Sequence, residues 1–299
     1  MLEQREDPTS NYLTYLNQLV SQGGPRPSED YELTAVIAQI YEDWQSGRIS
    51  PQALEQLRTA LQFTPETMQG FAYLKPHGYA GDFEIIDRVY RRYHCPDPKR
   101  FNWDRYWQRN AAADAVRNRK DYFIRLVLAH VGAAGKSKVL NVASGPGHDL
   151  LDLFEACPNL PVQIHCVEQD SRAIAHASKL CCRHLEQIMF HQANALRFTT
   201  SDQYDLVWSA GLFDYLDDRL FVRLAARLGR AVLPGGELVI GNFSDSNPSR
   251  AYMELFNWVL HHRSTNDLQQ LAFQAGFTED RVAIRREPIG VNLFLHVSF

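Results

Sequence analysis

No stretch of this chain approaches the ~18 consecutive apolar residues that a membrane-spanning helix needs. Its first residues, Met-Leu-Glu-Gln-Arg-Glu-Asp, are charged where a secretory signal would be apolar. The sequence therefore reads as a soluble, cytoplasmic protein without stable membrane insertion. Cysteine is scarce and its pattern is poor: Cys95, Cys157, Cys166, Cys181 and Cys182 make an odd set of 5 with no Cys-x-x-Cys. Reduced thiols are the expectation, in place of a disulfide framework. The histidines, His261 and His262 among them, lack a ligand spacing with carboxylate partners, so no metal is expected. A basic stripe is missing as well. The formal net charge is −4, and the short clusters at Arg88, Arg91 and Arg92 and at Arg117 to Lys120 read as solvated helix faces. Nucleic acid is thereby disfavoured as a partner. Nothing in the sequence sets an oligomeric state.

What is present is a short apolar strand that ends in glycine. Lys138-Val-Leu-Asn-Val-Ala-Ser-Gly-Pro-Gly-His-Asp149 runs into a sharp turn at Gly145 and Gly147 and then into a helix. Residues without a Cβ let the backbone lie against a ligand, and the helix start offers unpaired N–H groups to an anion. A second buried strand, Val162 to Val167, ends in Glu168, a carboxylate placed to accept the hydroxyls of a ribose. A dinucleotide fingerprint requires a third glycine at position 150, which is Leu150. NAD is disfavoured, and a nucleotide-dependent oxidoreductase becomes the weaker alternative.

With 299 residues, 45% of them hydrophobic, the chain can bury a large core and exceeds one minimal domain. Residues 1–130 read as a helical N-terminal cap and 131–299 as the catalytic domain. In the first region, helical spacing runs from Tyr31 to Phe63, Ser50-Pro51 opens a helix, and Asp104 to Val131 reads as one long amphipathic helix. Between them, Pro76 to Glu84 carries two glycines around Tyr79 and Asp82 and is expected to face a ligand. Beyond residue 138, strands near 138–143, 162–168, 188–193, 204–210 and 236–243 alternate with helices, predicting a doubly wound, mostly parallel α/β sheet. The runs from Arg281 and from Val291 suit a closing hairpin.

The glycine loop resembles motif I of the class I S-adenosylmethionine-dependent methyltransferases, with two departures: the usual acid is Asn141 and the first glycine is Ala143. Pro234-Gly-Gly before the fifth strand is also common in that family. The resemblance implies a Rossmann-like seven-stranded sheet with an antiparallel C-terminal hairpin, S-adenosylmethionine as cofactor and S-adenosylhomocysteine as product. It implies cofactor contacts at Ala143, Ser144, Gly145, Gly147, Glu168, Gln169, Asn194, Ala195, Ser209 and Gly211. The carbonyl oxygen of Asn194 stands where the family offers an acid to the adenine. The fourth strand carries no Asn-Pro-Pro-Tyr or Asp-Pro-Pro-Tyr, so base methylation loses its signature.

His77 to Asp87, Gly211 to Leu216 and Asn247 to Arg263 together look like the bacterial group of 3-hydroxypalmitic acid methyl ester synthases. That resemblance implies a small-molecule acceptor, the carboxylate of a hydroxy fatty acid. N-methylation of a small amine, amino acid or guanidine is the alternative. Tyr79, Asp82 and Tyr215 are the catalytic candidates, with Glu84 and Asp214 beside them. Acceptor recognition is expected from Tyr79, Asp82, Asp214 and Tyr215 together with Asn242, Arg250, Glu254 and Trp258, the last three spaced to share one helix face.

Overall fold

The computed structural model describes residues 8–299. The chain forms two compact units: residues up to Asp114 together with Pro248–Val259, and Ala115–Asn247 together with Leu260–Phe299. The sequence division at residue 130 places the segment around Arg250 with the sheet; the compact units place it with the helices.

The first unit contains α1 (Thr9–Ser21), α2 (Asp30–Gln45), α3 (Pro51–Ala60), α4 (Met68–Leu74), α5 (Phe83–Tyr90) and α6 (Phe101–Gln108). As expected, Ser50 caps α3, its hydroxyl accepting the Ala53 N–H with Pro51 in the first turn. A buried acid organises the connections. Asp104 is fully enclosed and accepts the Met68 N–H at 2.7 Å and the Cys95 N–H at 2.6 Å. Burial raises its pKa, and these two bonds counter the rise.

The long helix expected from Asp104 to Val131 is two helices. Bonds from the Arg109 and Asn110 N–H groups back three residues to the Tyr106 and Trp107 carbonyls end α6, and the Asn110 carbonyl then takes the Asp114 N–H. An asparagine whose amide also reaches the Tyr106 carbonyl competes with the helical ladder, and the chain restarts as α7 (Ala111–Ala134).

The second unit is built on a seven-stranded sheet of order β3-β2-β1-β4-β5-β7-β6. Its strands are β1 (Ser137–Val142), β2 (Val162–Glu168), β3 (Ile188–Gln192), β4 (Tyr204–Ser209), β5 (Val232–Phe243), β6 (Val282–Arg286) and β7 (Asn292–Ser298). The first five pair in parallel, and β7 joins β5 and β6 antiparallel, the predicted closing hairpin. Between strands lie α8 (His148–Ala156), α9 (Ser171–Leu180) and α10 (Asp218–Gly229); α11 (Arg250–Leu255) belongs to the first unit and α12 (Thr265–Gln274) to the second.

The strands alternate between two apolar layers, the period of 2 that a pleated sheet imposes. Leu140, Val207, Leu238, Ile240 and Leu295 pack with Phe221, Leu224 and Leu268 on one face. Val139, Leu206, Trp208, Val239 and Phe294 pack with Phe123, Val127 and Leu153 on the other. Among the described residues, no helix is long and apolar enough to cross a membrane.

Beneath α7 lies a polar cluster that composition gave no sign of. Glu237 accepts from His296 at 2.7 Å, the other ring nitrogen of His296 meets the Tyr122 hydroxyl at 2.7 Å, and His130 approaches Glu237 at 3.5 Å. Burial pushes the Glu237 carboxyl up, but the His130 and His296 bonds and charges overcome it and hold it at about 2 against an ordinary 4.5. The stability this carboxylate contributes is complete above pH 4.5 and is lost as pH falls toward 2. Glu237→Gln should therefore cost stability at neutral pH, with the deficit shrinking across that acid window. Denaturant midpoints of both proteins over a pH series measure it.

Candidate active site

The site is assembled at the carboxyl ends of the parallel strands, where open sheets bind ligands. After β1 the chain turns through Ala143 (φ 57°), Gly145 (φ 62°) and Gly147 (φ 82°) before α8 begins at His148. The two glycines serve different ends. A Cβ on Gly147 would lie 2.9 Å from the Ala177 Cβ, so this glycine lets the loop pack on α9. A Cβ on Gly145 would meet nothing within 4 Å. It would project into the open space in which a ligand can lie against bare backbone. Ala143, in the left-handed region without being glycine, is held there by its N–H bond to the Val167 carbonyl at 2.8 Å.

Glu168 ends β2 beneath this turn. Its Oε2 accepts the Gly145 N–H at 3.1 Å, and its Oε1 accepts the Gln169 and Asp170 N–H groups at 2.8 and 3.0 Å. The carboxylate is thus aimed before any ligand arrives. It retains acceptor capacity on Oε2, since each carboxylate oxygen offers two lone-pair sites. Ser144 is buried in the loop, and Ser209, at the end of β4, donates to the Val142 carbonyl at 3.0 Å. Asn141 contacts an acid after all: its Nδ2 donates to Asp149 Oδ2 at 3.2 Å. Burial raises the Asp149 pKa against the Leu150 N–H and the Asn141 amide. The negative group missing from the strand stands on the first turn of α8, a position the motif spacing did not mark.

At the neighbouring strand ends the predicted residues have local duties. Asn194 Oδ1 accepts the Leu196 N–H at 2.8 Å and its Nδ2 donates to Gln169 Oε1 at 3.1 Å, tying the ends of β2 and β3 together beside Ala195. Asp214 is buried and accepts the Phe243 N–H on Oδ1 at 2.6 Å. Burial raises it to about 6, with that bond and the Arg119 and Arg263 charges opposing the rise. Asn242 is fully enclosed; its Nδ2 reaches the Phe243 and His261 carbonyls, and its Oδ1 accepts Arg263 Nη1 at 2.8 Å. Tyr215 is 38% exposed just past this braced turn.

Arg263 is a residue whose role the sequence reading missed. Its guanidinium also donates to the Phe213 carbonyl at 3.0 Å, the Leu216 carbonyl at 2.6 Å and Asp218, which clamps the segment after β4. Arg119 was missed likewise. It was read with Arg117 to Lys120 as part of a solvated face, yet its Nη1 donates to the Ala210 carbonyl at 2.9 Å, and Lys120 pairs with Asp152.

The remaining candidates lie in the first unit. Asp82 is buried as the cap of α5, its Oδ1 accepting the Glu84 and Ile85 N–H groups at 2.9 and 3.0 Å. Burial raises its pKa. Tyr79 is half-buried in the same turn, and Glu84 pairs with His77 and Arg88. Arg250 and Glu254 form an ion pair at 2.8 Å on α11. The expectation that Trp258 shares their helix face fails, because α11 ends at Leu255 and Asn257 turns left-handed at φ 58°.

Residues 139–236 match the methyltransferase-domain family. The cofactor of that family is S-adenosylmethionine, and the bare backbone at Gly145 facing Glu168 suits it. No curated protein matches the chain in sequence. Among solved structures, a Bordetella parapertussis protein described as a possible exported protein is 21% identical; the match covers 97% of this chain and 96% of that one, with a TM-score of 0.59. The S-adenosylmethionine-dependent methyltransferase SibL in its apo form is 16% identical, with 97% and 96% covered and a TM-score of 0.51. At these identities the likeness is one of fold.

The Glu168 bonds make one substitution informative. Glu168→Ala removes a charged acceptor from the ligand and from the Gly145 N–H, so S-adenosylhomocysteine affinity should fall by about 1.5 to 3 kcal/mol. Titration calorimetry on the folded variant checks this; an unchanged affinity refutes the ribose assignment.

Proposed function

We propose that this protein is an S-adenosylmethionine-dependent methyltransferase acting on a small molecule, and that the acceptor group is a carboxylate of the kind carried by a hydroxy fatty acid. The observation that carries the first half is the Gly145 turn open to a ligand and tied to Glu168, within the segment that matches the methyltransferase-domain family. The second half rests on the resemblance of His77 to Asp87, Gly211 to Leu216 and Asn247 to Arg263 to fatty acid methyl ester synthases.

The cofactor supplies a sulfonium whose methyl group is already activated. The chain's own residues then have to orient and exclude. Gly145, Gly147 and Glu168 fix the donor, and the acceptor oxygen must lie in line, about 3 to 3.5 Å from the methyl carbon, with water expelled. A carboxylate is ionised at neutral pH and needs no general base. That agrees with the duty of the acid after β4, since Asp214 Oδ1 is occupied with the Phe243 N–H. Asn194, Gln169 and Ala195 are assigned to the adenine end, and Ser209, Gly211, Asp214 and Tyr215 to the reacting end. Asn242, Arg250, Glu254 and Trp258 are kept as candidates for acceptor choice. The N-methylation reading would require a group able to take a proton from an ammonium acceptor, and Asp214, at about 6, is the group to test for it.

A methyl-transfer screen over hydroxy fatty acids, amino acids and small amines decides between these readings. Turnover of carboxylic acids with a rate flat from pH 6 to 8 is the expected result. Turnover confined to amines, rising with pH and sensitive to Asp214→Asn, would replace it.

A further inference from the structure

Arg119 projects from α7 to the end of β4. Its Nη1 donates to the carbonyl of Ala210, the first residue past that strand. The guanidinium then lies beside Gly211: a Cβ there would stand 3.3 Å from Nη2 and 3.7 Å from Cζ. A side chain at 211 would make the guanidinium give way by a few tenths of an ångström, and glycine leaves it in place. The neighbours of Arg119 on the helix are matched to acceptors, Asn118 to Glu287 at 2.7 Å and Lys120 to Asp152. Among the described residues, Arg119 forms no ion pair, and its bond to Ala210 uses a single donor of the five in the fork. Asp214, whose titration it influences, gives its Oδ1 to the Phe243 N–H.

A half-buried arginine held by one backbone carbonyl presents its remaining N–H groups in a fixed plane. That plane fits the two oxygens of a carboxylate, which a lysine point charge would not fix in orientation. We propose that Arg119, seated against Gly211 and anchored on the Ala210 carbonyl, is a carboxylate-binding residue of the active site. This rests on the methyltransferase reading. Two carboxylates reach such a site, that of the methionyl end of the cofactor and that of an acidic acceptor, and the same fork chemistry serves either.

Calorimetry on the full chain separates them. S-adenosylhomocysteine and 5′-methylthioadenosine share the adenosine, but the second lacks the amino-acid end. If Arg119 holds the cofactor, Arg119→Ala should lose roughly 10- to 100-fold in affinity for S-adenosylhomocysteine and nothing for 5′-methylthioadenosine. If it holds the acceptor, both nucleosides bind unchanged. In that case 3-hydroxypalmitate, titrated onto the S-adenosylhomocysteine complex, loses affinity on the same scale while its primary amide does not. Arg119→Lys should recover part of either loss. Equal losses for both nucleosides, or no loss for any of the four probes, would overturn the assignment. A wild-type protein that binds neither nucleoside overturns the methyltransferase reading itself, an outcome the variant pattern cannot imitate.

Discussion

The site depends on one carboxylate that accepts three backbone N–H groups. Glu168 bonds the glycine turn after β1 through Gly145 and its own following turn through Gln169 and Asp170. Loops at strand ends carry unpaired amides, and leaving such groups buried without partners costs about 1 to 3 kcal/mol each. One side chain settles three of them and fixes the spacing between the ends of β1 and β2. A ligand at this edge would meet a preformed surface, and less of its binding energy would go into ordering the protein.

The parts of this arrangement that were legible in the sequence were local or periodic. The glycine turn, the strand ending in Glu168 and the cap at Ser50 are each written within a few residues, and the alternating strands announce a sheet. The helix from Asp104 to Val131 failed because its apolar spacing continues smoothly through Arg109 and Asn110, while the break comes from a single asparagine competing with the ladder. The face shared by Arg250, Glu254 and Trp258 failed for a related reason: one left-handed residue, Asn257, ends the periodicity.

What could not be read were polar groups acting over long sequence separations. Arg263 reaches Phe213, Leu216 and Asp218, and Arg119 reaches Ala210; no spacing rule connects these positions. Arginines of this kind replace the water that would otherwise solvate irregular backbone. They are therefore found where the sheet edge is least regular, the stretch that follows β4. Asn242 takes part in the same bracing, with both ends of its amide bonded.

The path of the chain through its two units bears on how the protein is made. Leaving the second unit at Pro248, the chain adds Pro248–Val259 to the first and returns at Leu260. There Arg58 on α3 donates to the Leu255 carbonyl at 2.8 Å and Gln69 accepts the Tyr252 hydroxyl at 3.2 Å. During synthesis the helical unit must wait, its contacts to residues 248–259 unmade, until residues well past β5 have emerged, so β1 to β5 are made before the unit that precedes them is complete. No single cut yields either half intact, and a nascent chain paused before residue 248 exposes apolar surface of the sort that chaperones hold.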